Sequence, residues 1–144
     1  MAPRGVAPGT DIVAVIVDST NDTLAALQWV AIAHPEVDAI NLSRGTFPSY
    51  GKGCETAWPG WDLMEDMIAA VRALDIPVIV SSGNGGSPSG MSFPACVTSA
   101  ISVGATNKND TVATFSNSVA QLDLLAPGAG FAEPTMAGDI EDDC

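Results

Sequence analysis

An uncharged apolar run that ends abruptly in small residues around one amide constrains the fold of this chain most. Residues 76–80 are mainly β-branched, and residues 81–86 read Ser-Ser-Gly-Asn-Gly-Gly. Such a run is typical of a strand that helices cover on both faces in a parallel sheet. Ligands of these sheets bind beyond the carboxyl ends of the strands, so the pattern predicts that Asn84 points into a shallow cleft at that edge. The alternative is that Asn84 only tolerates a turn conformation.

Apolar runs and amphipathic patterns alternate along the chain. Strands are predicted at 11–17, 38–43, 76–80, 99–105 and 122–125, helices at 22–33 and 61–74, and a long loop at 44–60. The first helix has Asn21 or Asp22 as its predicted N-cap. This alternation predicts an α/β fold of three layers, with a mostly parallel sheet and helices on both faces.

Length and charge exclude several classes of protein. A chain of 144 residues with 47% apolar content is expected to form one domain. The balance of 5 basic against 17 acidic residues, a formal charge of −12, argues against nucleic acid or an anionic membrane as a partner. No apolar run approaches the roughly 20 residues of a membrane span, and no signal-peptide segment is expected after Met1.

The three cysteines allow one disulfide bond, and their spacing matches no zinc site. If the protein is extracellular, we expect Cys54 and Cys96 to pair. The loop that holds Cys54 follows the strand at 38–43 toward the sheet edge where Cys96 is expected. Cys144 should then stay free or form intermolecular bridges.

Four phrases, in this order along the chain, resemble the middle of the subtilisin-like serine proteases. They are Gly5-Val6-Ala7-Pro8, Ala39-Ile40-Asn41-Leu42-Ser43, Val78-Ile79-Val80-Ser81-Ser82-Gly83-Asn84, and Phe115-Ser116-Asn117 leading to Leu125-Ala126-Pro127-Gly128. The resemblance implies an incomplete, subtilisin-like peptidase domain at 1–128. Residues 129–144 form an acidic tail without periodicity, which we expect to be disordered.

The resemblance also implies roles for individual residues. Asn84 matches the family's oxyanion asparagine, whose amide donates to the negative oxygen that forms when serine attacks a peptide carbonyl. The segment Ser43-Arg44-Gly45 resembles the part that lines the primary specificity pocket and pairs with the substrate backbone. Arg44 stands where the family usually has an apolar residue, which leaves the substrate preference open.

Other walls of that pocket are implied by two further segments. The first segment is 82–84, with Ser82 and Gly83. The second is 91–95, with Phe93 and Pro94. The aromatic-proline step at this wall implies a cis Phe93–Pro94 bond.

The family's nucleophile and its partners have no match in this sequence. The catalytic Asp and His of the family precede the first phrase, and its serine lies in a Gly-Thr-Ser-Met-Ala phrase after Ala-Pro-Gly. The nearest phrase here, at 134–137, has Thr135 in place of serine and lies too close to Gly128. His34, the only histidine, is predicted at an exposed helix end, so neither Thr135 nor His34 is expected to be catalytic.

Two carboxylates could orient a catalytic base, Asp38 and Asp123. Asp123 lies where the family sometimes has a weak cation site, so the resemblance implies a possible calcium or sodium ligand there. No cofactor is expected to be required.

These observations favour a fragment of a subtilisin-like serine endopeptidase, with peptide or protein substrates, that is inactive alone. The alternative is a non-catalytic peptide-binding or interaction domain with the same fold. A nucleotide-binding domain is a third reading, but the glycines around Asn84 lack the Gly-x-Gly-x-x-Gly spacing. Secretion is implied by the resemblance, and self-association is expected through sheet surface that the fragment leaves uncovered.

Overall fold

A computed structural model describes residues 7–130 and the backbone at 133–134 and 140–141. The predictions for Thr135, for Cys144 and for most of the 129–144 tail lie outside the described residues. The elements, in chain order, are α1 (Thr20–Ala33), β1 (Ile40–Leu42), β2 (Thr46–Tyr50), a 3₁₀ helix (Cys54–Thr56), α2 (Trp61–Arg72), β3 (Val78–Ser81), β4 (Met91–Phe93), β5 (Ile101–Thr106), β6 (Leu124–Pro127), β7 (Glu133–Pro134) and β8 (Ile140–Glu141).

A parallel sheet forms the centre of the fold. Its strand order is β1-β3-β5-β6, and all three neighbouring pairs are parallel. Leu42 lies beside Val80, and Ser81 lies beside Val103, so the carboxyl ends of β1, β3 and β5 meet at one edge. The predicted α/β class with a mostly parallel sheet is confirmed.

The core lies between this sheet and the two α-helices. Val78 and Val80 of β3 are fully buried, and they share one apolar cluster with Ile68 and Val71 of α2 and Leu27 of α1. Because α1 and α2 also contact each other, both helices cover the same face of the sheet.

The opposite face of the sheet is not covered by a helix from the described part of the chain. Side chains alternate along a strand, so the residues between the buried ones point to this side. We call it the open face. It is formed by Asn41, Ile79, Ile101, Val103 and Leu124, which are half-buried or exposed. The predicted second helical layer does not occur among the described residues.

The strand predicted at residues 11–17 does not form, and this prediction is wrong. Ile12 and Ile16 are 84% and 90% exposed, and no described strand pairs with this segment. A strand forms only when its backbone pairs with a neighbouring strand through hydrogen bonds. The apolar pattern shows that the side chains suit a strand, but it does not show that a neighbour is present.

The ends of the helices also differ from the prediction. The N-cap of α1 is Ser19, whose hydroxyl accepts from Asp22 N at 3.1 Å while Asp22 Oδ2 accepts from Ser19 N at 2.9 Å. This reciprocal capping box starts the helix at Thr20 and corrects the predicted cap at Asn21 or Asp22. Helix α2 ends at Arg72, two residues before the predicted Leu74.

The predicted loop at 44–60 contains regular structure. Strand β2 pairs antiparallel with β4 in a second sheet, and a short 3₁₀ helix follows it. Pro48 lies within β2, and a proline within a run argues against a strand, which is why the sequence did not reveal it.

Two expectations about this region are confirmed. Cys54 and Cys96 form a disulfide bond with Cα atoms 5.5 Å apart. The Phe93–Pro94 bond is cis, and Phe47–Pro48 is a second cis bond.

Neither described helix combines the length and apolar character that a membrane crossing requires.

Candidate functional site

Strand β3 carries Asn84 to the carboxyl edge of the sheet, as predicted. Because β3 lies between β1 and β5, the residues that follow it emerge near the middle of that edge. Asn84 is exposed, and its side chain forms no hydrogen bond with another described residue. The amide is therefore available to donate to a ligand.

The backbone before Asn84 can be built only with glycine. Gly83 has φ of +103°, and a Cβ atom there would collide with Oγ of Ser92 and approach Nδ2 of Asn117 to 2.7 Å. Ser92 belongs to β4, and its backbone N–H donates to the carbonyl of Ser82 at 2.8 Å. Gly83 thus lets the chain pass close over β4 just before the exposed amide.

A buried asparagine, Asn117, holds the segment around Asn84. Its Nδ2 donates to the carbonyl of Ser82 at 2.8 Å, and its Oδ1 accepts from Ser87 N at 2.9 Å. Its backbone N–H donates to the carbonyl of Gly83 at 2.9 Å, and its carbonyl accepts from Ser82 Oγ at 2.9 Å. These bonds fix the chain on both sides of Asn84.

The sequence did not reveal this role of Asn117. The phrase Phe115-Ser116-Asn117 supported the resemblance, but the sequence contains no sign that its last residue is 0% exposed and bonds to residues about 35 positions earlier. The available signal was an asparagine in an apolar stretch before β6.

The segment 43–45 lies beside this loop, at the end of β1. A Cβ atom on Gly45 would lie 2.8 Å from Cβ of Ser92, the same residue that packs under Gly83. Ser43 and Gly45 are exposed and Arg44 is half-buried. The structure therefore brings 43–45 and 82–84 together around Ser92.

Arg44 points toward the chain that precedes α1. Its Nη1 donates to the carbonyl of Val17 at 3.4 Å. The pKa of Asp22 is lowered mainly by the hydrogen bond from the Ser19 side chain, and the charge of Arg44 adds a smaller effect in the same direction. This places a positive charge at the margin of the site.

Phe93 and Pro94 lie behind the surface. Both are buried, and the Phe93 ring stacks on Trp61 with centroids 3.9 Å apart. In this structure they pack beneath the surface and expose almost none of their own area.

An exposed aromatic ring that the sequence did not single out lies next to Asn84. Phe47 of β2 is 75% exposed, and a Cβ atom on Gly85 would lie 3.2 Å from its Cε1 atom. The ring therefore borders the residue that directly follows Asn84.

The structure does not bring His34 to Asn84. His34 ends α1 ahead of β1, so it lies toward the amino-terminal edge of the sheet, opposite the edge of Asn84. Its ring packs against Trp29, and Nδ1 lies 2.9 Å from Oε1 of Glu36, an interaction that lowers the pKa of Glu36. Asp38 is exposed at the same edge.

Asp123 also lies at the amino-terminal edge, immediately before β6. Its Oδ2 atom contacts Nζ of Lys52 at 2.7 Å and accepts from Ser102 N and Ser102 Oγ at 2.8 and 2.6 Å. Burial alone would raise the pKa of Asp123, but the hydrogen bonds from Lys52 and Ser102 outweigh it, and the pKa is lowered. Within residues 7–130, no group of three or more His, Cys, Asp or Glu residues could hold a metal ion.

Comparisons with known proteins agree with this architecture. The chain is 33% identical over 141 residues to the Alkaline elastase YaB of Bacillus sp. (strain YaB), a match that covers 94% of this chain and 33% of that protein. It is 32% identical over 143 residues to Subtilisin E of Bacillus subtilis (strain 168), covering 93% of this chain and 34% of that protein. The chain thus spans about a third of the length of these relatives.

Solved structures share the fold. A Prenylagaramide maturation protease superposes with a TM-score of 0.68 at 22% identity, covering 85% of this chain and 42% of that one. A cold adapted subtilisin-like serine proteinase superposes with a TM-score of 0.66 at 21% identity, covering 87% and 41%. The sequence profile of the subtilase family matches residues 3–140. Since this match extends over nearly the whole chain, the protein belongs to the subtilase family.

Proposed function

We propose that this chain is the oxyanion-binding and substrate-binding part of a subtilisin-like serine endopeptidase, an enzyme that hydrolyses peptide bonds. The observation that carries the proposal is the exposed side-chain amide of Asn84, which has no hydrogen-bond partner among the described residues. The backbone on both sides of Asn84 is held by Asn117, and the chain is a member of the subtilase family. The nucleophile, base and orienting carboxylate have no match in this sequence, so the chain alone is inactive in this proposal.

Asn84 would act on the charge that develops during acylation. A hydrogen-bond donor that is already in position stabilises the negative oxygen without reorganising as the charge forms. The buried bonds of Asn117 to Ser82 and Gly83 support this preorganisation because they leave little freedom to the backbone that carries Asn84.

The substrate would lie along β1. This strand pairs only with β3 in the described part of the chain, and residues 43–45 continue it beside the loop of Asn84. An extended peptide can add to a free strand edge through backbone hydrogen bonds while its side chains enter neighbouring pockets. We assign this role to Ser43, Arg44 and Gly45, with Ser82 and Gly83 lining the adjoining pocket and Phe93 and Pro94 supporting its wall.

The first experiment measures hydrolysis by the purified chain. A fluorogenic peptide should show no turnover above buffer, and a fluorophosphonate that labels activated serines should not react. An exposed hydroxyl without a base is a poor nucleophile, which is the reason for both expectations. Labelling, or turnover that survives Asn84→Ala, would reject the proposal.

A second experiment tests Asn84 with a nucleophile present. In a chimera, residues 5–128 replace the matching part of Subtilisin E, which contributes the remaining catalytic segments. Asn84→Ala should lower kcat by about 10²–10³ with little change in KM, a magnitude taken from this donor in a subtilisin. Asn109→Ala, an exposed asparagine in another loop, is the matched control. Equal effects of both substitutions would contradict the assigned role.

A non-catalytic peptide-binding domain is the second candidate. The free edge of β1 and the position of His34 on the opposite edge favour it for the isolated chain. Calorimetric titration with an extended peptide should detect binding in both cases. Hydrolysis by the chimera separates the two, since the chimera cleaves a bound peptide only if the first proposal holds.

We also propose an extracellular location. Disulfide bonds persist in oxidising compartments, and Cys54–Cys96 is formed in this structure. A relative that is 37% identical over 110 residues is named Extracellular serine proteinase, from Thermus sp. (strain Rt41A).

A further inference from the structure

The side chain of Lys52 occupies the position where the family resemblance implies a weak cation site. Its Nζ atom lies 2.7 Å from Oδ2 of Asp123 and 2.7 Å from the carbonyl oxygen of Ala100. Only 18% of the Lys52 side chain is exposed, against 40% of the Asp123 side chain. The ammonium is therefore enclosed between a carboxylate and a backbone carbonyl.

The oxygens here do not fit a metal ion in addition to this ammonium. Oδ2 of Asp123 already accepts from Lys52 Nζ and from both donors of Ser102. A calcium ion takes six to eight oxygen ligands at about 2.3–2.6 Å, so an ion bound to Oδ2 would compete for the same lone pairs. It would also lie within a few ångström of a second positive charge, which is unfavourable in a partly buried site.

We propose that the Lys52 ammonium is the resident cation of the Asp123 site, replacing calcium or sodium, and that removing it turns the site into one that binds metal. The carboxylate of Asp123 and the carbonyl of Ala100 are hard oxygen ligands, which suit sodium, potassium or calcium once the ammonium is gone. A cation that is covalently attached to the chain cannot be removed by a chelator. The fold therefore gains no dependence on the concentration of free metal.

The position of Lys52 explains what this cation stabilises. Lys52 lies two residues before Cys54, and the Cys54–Cys96 disulfide attaches the same segment to the residues that follow β4. Lys52 attaches it to Ala100, just before β5, and to Asp123, just before β6. The segment between β2 and α2 is thus anchored at two separate points of the sheet region.

The unsubstituted chain gives the first test. Its midpoint of thermal unfolding is measured in CaCl₂, NaCl, KCl and choline chloride at matched ionic strength, and with EDTA. We expect the same midpoint in all of these within about 1 °C, since only a ligand that binds the folded state raises it. A rise specific to one metal that is abolished by Asp123→Asn would overturn the proposal.

The second test removes the ammonium. Lys52→Ala and Lys52→Met should lower the midpoint by roughly 3–8 °C in choline chloride, and a metal cation should restore at least half of that loss. The double variant Lys52→Ala/Asp123→Asn should show no restoration. Lys108→Ala removes the same charge elsewhere and should gain no metal response.

If no metal cation stabilises either Lys52 variant, the proposal that the Lys52 ammonium replaces a metal ion is refuted. The contact between Lys52 and Asp123 is then an ordinary salt bridge. If Lys52→Ala is purified unfolded, its circular dichroism is followed while each cation is added. Metal-specific refolding supports the proposal, and its absence at saturating concentrations contradicts it. None of these measurements depends on peptidase activity, so they stand apart from the proposed function.

Discussion

A single buried amide, that of Asn117, positions the exposed amide of Asn84. Asn117 makes hydrogen bonds to the chain on both sides of Asn84, while the side chain of Asn84 bonds to no described residue. The sequence was enough to predict where Asn84 lies because glycines flank it at the end of an apolar run. It was not enough for Asn117, whose partners come from distant parts of the chain and become neighbours only after folding.

Replacing Asn117 by alanine should lower the free energy of unfolding by about 2–4 kcal/mol. The substitution leaves the N–H of Ser87 without its acceptor and removes one of the two donors to the carbonyl of Ser82, which keeps the N–H of Ser92. A buried unsatisfied polar group costs about 1–3 kcal/mol, and each further lost hydrogen bond about 0.5–1.5 kcal/mol. Urea unfolding measures the change. Asn109→Ala, at an exposed loop position, should change stability by less than about 0.5 kcal/mol, and equal losses would contradict the role of Asn117.

Asp123 should make stability depend on acid pH. The hydrogen bonds from Lys52 and Ser102 outweigh burial and hold its pKa in the folded chain below the ordinary aspartate value of 3.8, so the unfolded chain binds a proton first as the pH falls. The contribution is therefore complete above about pH 4 and is lost as the pH falls through the lowered pKa. Thermal unfolding between about pH 6 and pH 2 should show a smaller acid-induced loss for Asp123→Asn than for the unsubstituted chain. Asp38→Asn, at an exposed position, should retain the full loss.

At the scale of elements, the sequence predicted strands and helices well where the core alone decides them. Strands β1, β3, β5 and β6 and both helices lie within two residues or so of their predicted ends. The failures concern pairing. Residues 11–17 have a strand's composition without a partner in the described chain, while β2 has a partner in β4 despite its proline. The composition of a segment does not show which other segment will lie beside it and pair with its backbone.

The Cys54–Cys96 bond should contribute strongly to stability. It closes a loop with a sequence separation of 42 residues, for which chain entropy gives an upper estimate of about 4 kcal/mol. The double variant Cys54→Ala/Cys96→Ala should lower the free energy of unfolding by about 2–4 kcal/mol. Cys144→Ala should leave it unchanged, and thiol titration of the denatured, unreduced protein should find about one free thiol per chain. Two further thiols without reductant would contradict the bridge.

At the scale of the whole molecule, the described helices cover one side of the sheet, and no helix of the described chain covers the open face. The helices bury Val78 and Val80, whereas Ile79, Ile101 and Val103 remain half-buried on the open face. Apolar surface of this kind favours association, because water is removed when two such faces meet. The relatives are about three times as long as this chain, and the match covers only 33% of one and 34% of another.

We therefore predict that the isolated chain self-associates through the open face. Light scattering after size exclusion should give a mass above that of the 14.7 kDa chain, decreasing on dilution. Ile101→Lys places a charge in the middle of the open face, where burying it between two copies is costly, and should shift the protein toward monomer. Ile32→Lys adds the same charge at an exposed position on α1 and should leave the mass distribution unchanged. A monomer at all concentrations would contradict the prediction, and an equal shift in both variants would show that net charge, and not the open face, controls assembly.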